Sequence, residues 1–197
     1  TGLQVNQLLY DLRYDTIQPD GSLFSYLDDK GSTWQAQPFA QLSLRPGTRW
    51  TVNLGVHGFY FDLTKSVSVE PRLSVRRTMG ERQSLSLAAG MHSQAVPIGV
   101  YFIRQLDNDS SGIYQPNLDL DLMKSMHLVL AYDNLISKQL RLHVEAYTQK
   151  LNDVPAAGTF WLLNELEGYP GKQLHSDGEG WNIGFDFSLE KFFNKGL

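Results

Sequence analysis

The chain has 197 residues, a formal net charge of -4 at pH 7 and no cysteine. Disulfide frameworks, thiolate metal sites and cysteine nucleophiles are therefore excluded, and there is no clustered basic field to neutralise a nucleic-acid backbone. No run of about 18 apolar residues is present, so a membrane role would have to be carried by strands, not by a helix.

In chain order, the first candidate strand is the weakest: Leu3 and Val5 oppose Gln4 and Asn6, and residues 10–33 read as a long connection. Residues 34–44 then place Trp34, Ala36, Pro38, Ala40, Leu42 and Leu44 on one face against Gln35, Gln37, Gln41 and Ser43. A strand has side-chain period two, so such alternation makes one greasy and one wet face. After the turn residues Arg45-Pro46-Gly47-Thr48, Trp50, Val52, Leu54 and Val56 oppose Arg49, Thr51, Asn53 and His57. The pair is predicted to form a hairpin.

Past a brief junction at 62–65, Val67, Val69, Pro71, Leu73 and Val75 oppose Ser68, Glu70, Arg72, Ser74 and Arg76. A turn around Met79-Gly80-Glu81 leads to Leu85, Leu87, Ala89 and Met91 against Ser84, Ser86, Ala88, Gly90 and His92. Residues 93–123 read as a second long connection. Met126, Leu128, Leu130 and Tyr132 follow, with Ser125, His127 and Asp133 opposite, then a turn at Ile136-Ser137-Lys138 and a strand with Leu140, Leu142, Val144 and Ala146 against Arg141, His143, Glu145 and Tyr147. The third long connection is 151–178. The last stretch alternates most clearly, with Trp181, Ile183, Phe185, Phe187 and Leu189 against Asn182, Gly184, Asp186, Ser188 and Glu190.

Short turns thus interleave with longer connections, the junction at 62–65 being the only brief one on the long side, in the parity of short periplasmic turns and long extracellular loops of an outer-membrane barrel. Each stretch runs roughly 10 to 14 residues, where a globular strand averages about 5 to 6 and a spanning strand needs about 9 to 11. Trp50, Phe192 and Phe193 lie beside short turns, and Tyr60, Tyr132 and Trp181 are expected nearer the long-loop side, as two interfacial girdles require. Alternation by itself also suits a soluble barrel or sandwich with the apolar face inside; parity, length and aromatics favour lipid on that face. The expected fold is all-β: an antiparallel up-and-down wall of about eight strands from a larger transmembrane barrel.

Few motifs carry chemistry. Asp107-Asn108-Asp109-Ser110-Ser111-Gly112 imitates the opening of a calcium loop, but position 118, where the closing bidentate Glu belongs, is Leu. No two histidines have helical zinc-site spacing, although His127 and His143 could face one lumen from neighbouring strands. No metal or other cofactor is expected. His92-Ser93 and His175-Ser176-Asp177 lack a G-x-S-x-G elbow, and adjacency does not make a triad. An enzyme is not expected. Phe160, Trp161 and Tyr169 beside Asn164 and Glu165 have a composition suited either to gripping a ligand or to packing the last long loop.

The run Val69-Glu70-Pro71-Arg72-Leu73-Ser74-Val75, then Gln83-Ser84-Leu85-Ser86-Leu87 and Gly90-Met91-His92-Ser93-Gln94, resembles the barrel of TonB-dependent receptors of the Bacteroidota. Lys124-Ser125-Met126-His127, Val144-Glu145-Ala146-Tyr147, Asn152-Asp153-Val154-Pro155, Leu162-Leu163-Asn164-Glu165 and the stretch from Leu189 to Gly196 resemble the same family in the same order. The resemblance implies a barrel of about 22 strands around an N-terminal plug, energised by an inner-membrane TonB complex that contacts a short segment near the plug.

Neither plug nor contact segment is seen here, and the end at Leu197 reads as a periplasmic turn, so residues 1–197 are expected to be one partial-barrel segment. Its expected location is the outer membrane. Its expected partners are outer-membrane lipid, a small-molecule, glycan or peptide cargo, and, through the missing region, the TonB complex; nucleic acid is not among them. The lumen and loop residues Arg72, His92, Gln94, Tyr101, Arg104, Trp161 and Asn164 are the candidate ligand contacts. A complete eight-stranded membrane barrel and a soluble ligand-binding β-barrel are the alternatives.

Overall fold

The computed structural model describes residues 1–106, 112–157 and 173–192, together with the backbone of 160–161. Its elements are β1 (Gly2–Ile17), β2 (Leu23–Leu44), β3 (Trp50–Phe61), β4 (Ser66–Met79), β5 (Gln83–Gln94), a single helical turn α1 (Ile98–Tyr101), β6 (Gln105–Leu106), β7 (Ile113–Tyr114), β8 (Met123–Ser137), β9 (Leu140–Ala157), β10 (Phe160–Trp161) and β11 (His175–Lys191). The long strands form one up-and-down antiparallel sheet in the order β1-β2-β3-β4-β5-β8-β9-β11, curled like half a barrel. Strand β10 adds two pairs to the end of β9, and β6 pairs with β7 in the β5–β8 connection. The expected all-β wall of about eight strands is therefore the fold.

The sheet's two faces have the opposite of a soluble protein's burial. Ile183 is 83% exposed and Phe185 67%, in a run with Trp181, Phe187 and Leu189, whereas Glu70 on the other face is only 2% exposed. Large apolar side chains normally leave water and charges normally stay in it, since burying an ionised carboxylate without partners is very costly. Here the outer face is an apolar band across all eight long strands. The inner face is a bonded polar surface.

The hydrophobic core sits elsewhere, where the β5–β8 connection folds back onto the inner face. Val96, Val100, Tyr101, Phe102, Leu120 and Leu122 pack with Phe59 and Phe61 of β3 and with Leu174, and Leu8, Tyr10, Leu12 and Leu27 of the first hairpin close over them. This explains the main departure from expectation. Residues 10–33 are not a long loop; β1 and β2 continue as paired strands to a turn at Gln18–Ser22, closed by the Gln18 and Gly21 backbone bonds, with Gly21 at φ +83°.

Alternation persists in that extension, but its phase reverses. Leu3, Val5 and Leu9 point outward from β1, and then Asp11 and Arg13 take the outward positions while Leu8, Tyr10 and Leu12 turn inward. On β2 the outward positions after Trp34 toward the hairpin tip are taken by Ser32, Lys30 and Asp28. Lys30 Nζ donates to Asp11 at 2.6 Å across the pair. Below Trp34 grease faces out; above it, Tyr10, Leu12 and Leu27 face the loop core, and Ile17 and Leu23 stand exposed again beside the hairpin tip.

Two other boundaries move. Strand β9 runs on to Ala157 and β11 begins at His175, so the connection expected at 151–178 is shorter. Tyr132, expected near the long-loop side, pairs with Leu85 and Val144 in the second half of β8, which descends toward the β8–β9 turn. It lies nearer the short-turn end.

Candidate functional site

Antiparallel register places Gln41, Gly55, Arg72, Gly90, His127, Gln149 and Asn182 in one row across the inner face. Residues directly opposite each other share a face, so side chains far apart in sequence become neighbours. Around this row a chain of polar contacts crosses seven strands. His57 Nε2 lies 3.2 Å from the Gln37 side-chain amide, and His57 Nδ1 lies 2.9 Å from Glu70 Oε2. Arg72 Nη2 donates to Glu70 Oε2 at 3.2 Å and to His92 Nδ1 at 3.1 Å. A guanidinium only donates, so His92 Nδ1 is the acceptor and the ring's proton sits on Nε2.

The His92 ring meets His127 edge to face with centroids 5.2 Å apart. His127 Nε2 is 2.8 Å from Ser125 Oγ, which accepts from Gln149 Nε2 at 2.7 Å, and Gln149 Oε1 accepts from Asn182 Nδ2 at 2.7 Å. Glu70 anchors this chain. The β4–β5 ladder ends at Arg72 opposite Gly90, and where it ends the Glu70 carboxylate accepts the Ser93 N–H at 2.9 Å and the Ser93 hydroxyl. The Ser93 N–H, the Ser93 hydroxyl, the His57 ring and the Arg72 guanidinium thus converge on one buried carboxylate, which is how a buried charge is made tolerable.

Toward the short turns lies a second cluster. Asp133 accepts from Arg141 and sits 3.1 Å from His143 Nδ1, and Arg141 also reaches Glu190 at 3.4 Å. His127 and His143 therefore share the inner face but belong to separate clusters, since His127 pairs with Gln149, well along β9 from His143. Among the described residues no three His, Asp or Glu side chains converge on a metal position.

Arg72 and His92 touch each other, and Gln94 ends β5 on the same face. Tyr101 lies elsewhere: it is fully buried in the loop core, its hydroxyl accepting from the Val96 N–H at 3.3 Å, and burial pushes its pKa up to about 12. Arg104 ties the loop to β2, pairing with Asp28 and with Asp29 at 3.1 Å and donating to the Asp28 carbonyl. The Trp161 side chain and Asn164 lie outside the described residues, as do residues 107–111 of the calcium-like stretch and Phe193. Ser93 Oγ donates to Glu70 while His92 engages Arg72, and Ser176 Oγ accepts from the Asp121 N–H, so neither serine is poised against a histidine base.

The bonded roles of Gln37, His57 and Glu70 were not foreseen, because the partners sit on different strands and meet only through register. A further anchor is Asn117, which is wholly buried, donates to the Val100 carbonyl at 3.2 Å and accepts the Leu174 N–H at 2.9 Å. It ties separate loop segments together.

No family model matches the sequence, and neither does any curated protein. Solved structures do match in fold. The ferric enterobactin receptor PfeA of Pseudomonas aeruginosa, as its G324V mutant, superposes over 82% of this chain and 25% of its own with a TM-score of 0.62 and 12% identity. The siderophore receptor PirA of the same organism covers 85% of this chain and 33% of its own, with TM-score 0.65 and 12% identity. The RagAB peptide importer in its closed-closed state covers 90% and 22%, with TM-score 0.60 and 12% identity. The chain spans between about a fifth and a third of the length of these structures.

Proposed function

We propose that this chain is part of the barrel wall of a TonB-dependent outer-membrane receptor of the Bacteroidota type, which takes up a nutrient such as a siderophore, cobalamin, glycan or peptide. The observation that carries the reading is the inverted burial of the sheet: the outer face is an exposed apolar band, while on the inner face the Glu70 carboxylate is buried and bonded to His57 and Arg72. In lipid such a face needs no cover, and the backbone groups of a closed sheet are satisfied by their neighbours. The solved receptors and importer of like fold support the same assignment. A soluble barrel binding ligand on its apolar face would put that face inside, whereas here the loop core folds onto the opposite one.

In this reading the wall does no covalent chemistry. Lipid is its outer partner; the first hairpin and the β5–β8 connection form the external capture surface, and the polar row lines the path that the plug would gate when TonB acts on it. The test uses the full-length protein in outer-membrane vesicles. Cysteines placed singly at residues 182–187 and labelled with an environment-sensitive dye should report apolar surroundings at 183, 185 and 187 and wet surroundings at 182, 184 and 186. A flat profile, or the reverse alternation, would defeat the proposal.

A further inference from the structure

Glycine in a strand interior costs backbone entropy and packs nothing, so it marks a bulge or a place where something must approach closely. Gly55 and Gly90 flank Arg72 on its two neighbouring strands, opposite it in both ladders. Neither has a backbone conformation that requires glycine, and a Cβ on either would make ordinary contact with the Arg72 stem, at 3.6 and 3.5 Å. Backbone geometry and packing therefore do not explain them. What they do is open the inner face beside one cation, and an open groove of about 480 Å³ lies there.

Arg72 is held from one side and available from the other. Its described bonds, to Glu70 and His92, are both made by Nη2, so Nε and Nη1 carry three further N–H donors on a side chain that is 46% exposed. Glu70 does not compete for an incoming anion's donors, because its two oxygens already receive four. With Nδ1 accepting from Arg72, His92 keeps an Nε2–H donor, and the amide of Gln41 lines the same groove. A guanidinium with neighbouring N–H donors matches the planar oxygens of a carboxylate.

From this placement we infer that the groove between Gly55 and Gly90 is a binding site for a carboxylate-class oxyanion carried by a diffusing ligand, with Arg72 as its principal contact. The inference rests on the proposed transport reading for the ligand's route, but not for the binding itself. In the full-length protein solubilised in detergent, titration calorimetry with succinate should give saturable binding that glycerol does not, and that weakens as salt is raised. Arg72→Gln should weaken it at least tenfold. Gly90→Leu, which keeps the cation and fills the groove, should weaken it comparably with folding confirmed by an unchanged thermal transition. Succinate binding no better than glycerol, or unaffected by Gly90→Leu, would overturn the site. The titration needs no membrane, so its failure leaves the labelling alternation untouched, and a flat labelling profile leaves the titration valid.

Discussion

Glu70→Gln should be among the most damaging single-atom changes in the sheet. Oε1 receives the Ser93 N–H at 2.9 Å and the Ser93 hydroxyl, while Oε2 faces His57 Nδ1 at 2.9 Å and Arg72 Nη2 at 3.2 Å. A carboxamide has only one oxygen, so whichever way it turns, its NH2 faces a backbone donor or a pair of charged and ring donors. Each hydrogen bond to a charged group contributes about 1.5–3 kcal/mol, and an orphaned buried donor costs about 1–3 kcal/mol. These do not add, and Arg72, nearly half exposed, recovers most of its loss from water. The expected net cost is about 2–4 kcal/mol. Urea unfolding of the full-length protein in detergent, followed by tryptophan fluorescence, should show the shift, with Glu81→Gln in the exposed β4–β5 turn as the neutral control. A change below about 0.5 kcal/mol for Glu70→Gln, the size of an ordinary surface substitution, would refute the claim that this carboxylate holds the row together.

Phe185→Arg or Leu130→Arg should reduce assembly in the outer membrane, each costing about 2–4 kcal/mol at mid-depth, while Asp186→Arg on the inner face should assemble normally; equal assembly of all three would contradict the facing. Tyr101→Ala should cost the loop core about 3–5 kcal/mol and make residues 95–122 susceptible to protease, with Tyr101→Phe close to native. The Tyr101 phenol is raised from 10.0 to about 12 because burial disfavours the phenolate, so the loop core should be intact below pH 10 and weaken as pH rises toward about 12. Protease sensitivity that stays constant across that window would count against its burial. Asn117→Ala should also free the loop, because the Leu174 N–H and Val100 carbonyl both lose their partner.

The middle of each strand was legible because one solvent acts on it throughout: Val52, Leu54 and Val56, or Ile183, Phe185 and Phe187, keep one phase. The first hairpin was not, because Leu8 and Leu9 are adjacent apolar residues on opposite faces, where the outward environment changes and the loop core begins. A period-two pattern that slips by one residue reads as a break, although the strand runs straight through. The site divides along similar lines. Arg72 and Glu70 could be placed on the polar face from sequence, but the contact of Arg72 with His92, or of Glu70 with His57, depends on register. Tyr101 was misleading because Val96 to Ile103 is an apolar run in a connection, and nothing in that stretch indicates which surface it will cover.

The reversal of phase at Trp34 also sets a height. From Trp34 to Leu23 the paired strands continue for about 35 Å at the usual rise of about 3.3 Å per residue. In the membrane setting proposed here, the Asp20-Gly21 tip stands off the bilayer on a stiff two-stranded mast, braced partway up by Arg104 on Asp29. A fluorophore or epitope at that tip would meet antibodies, surface sugars and arriving cargo well before any of them reached the lipid, and the distance it reported would be set by the strands' rise, independent of any loop's excursions.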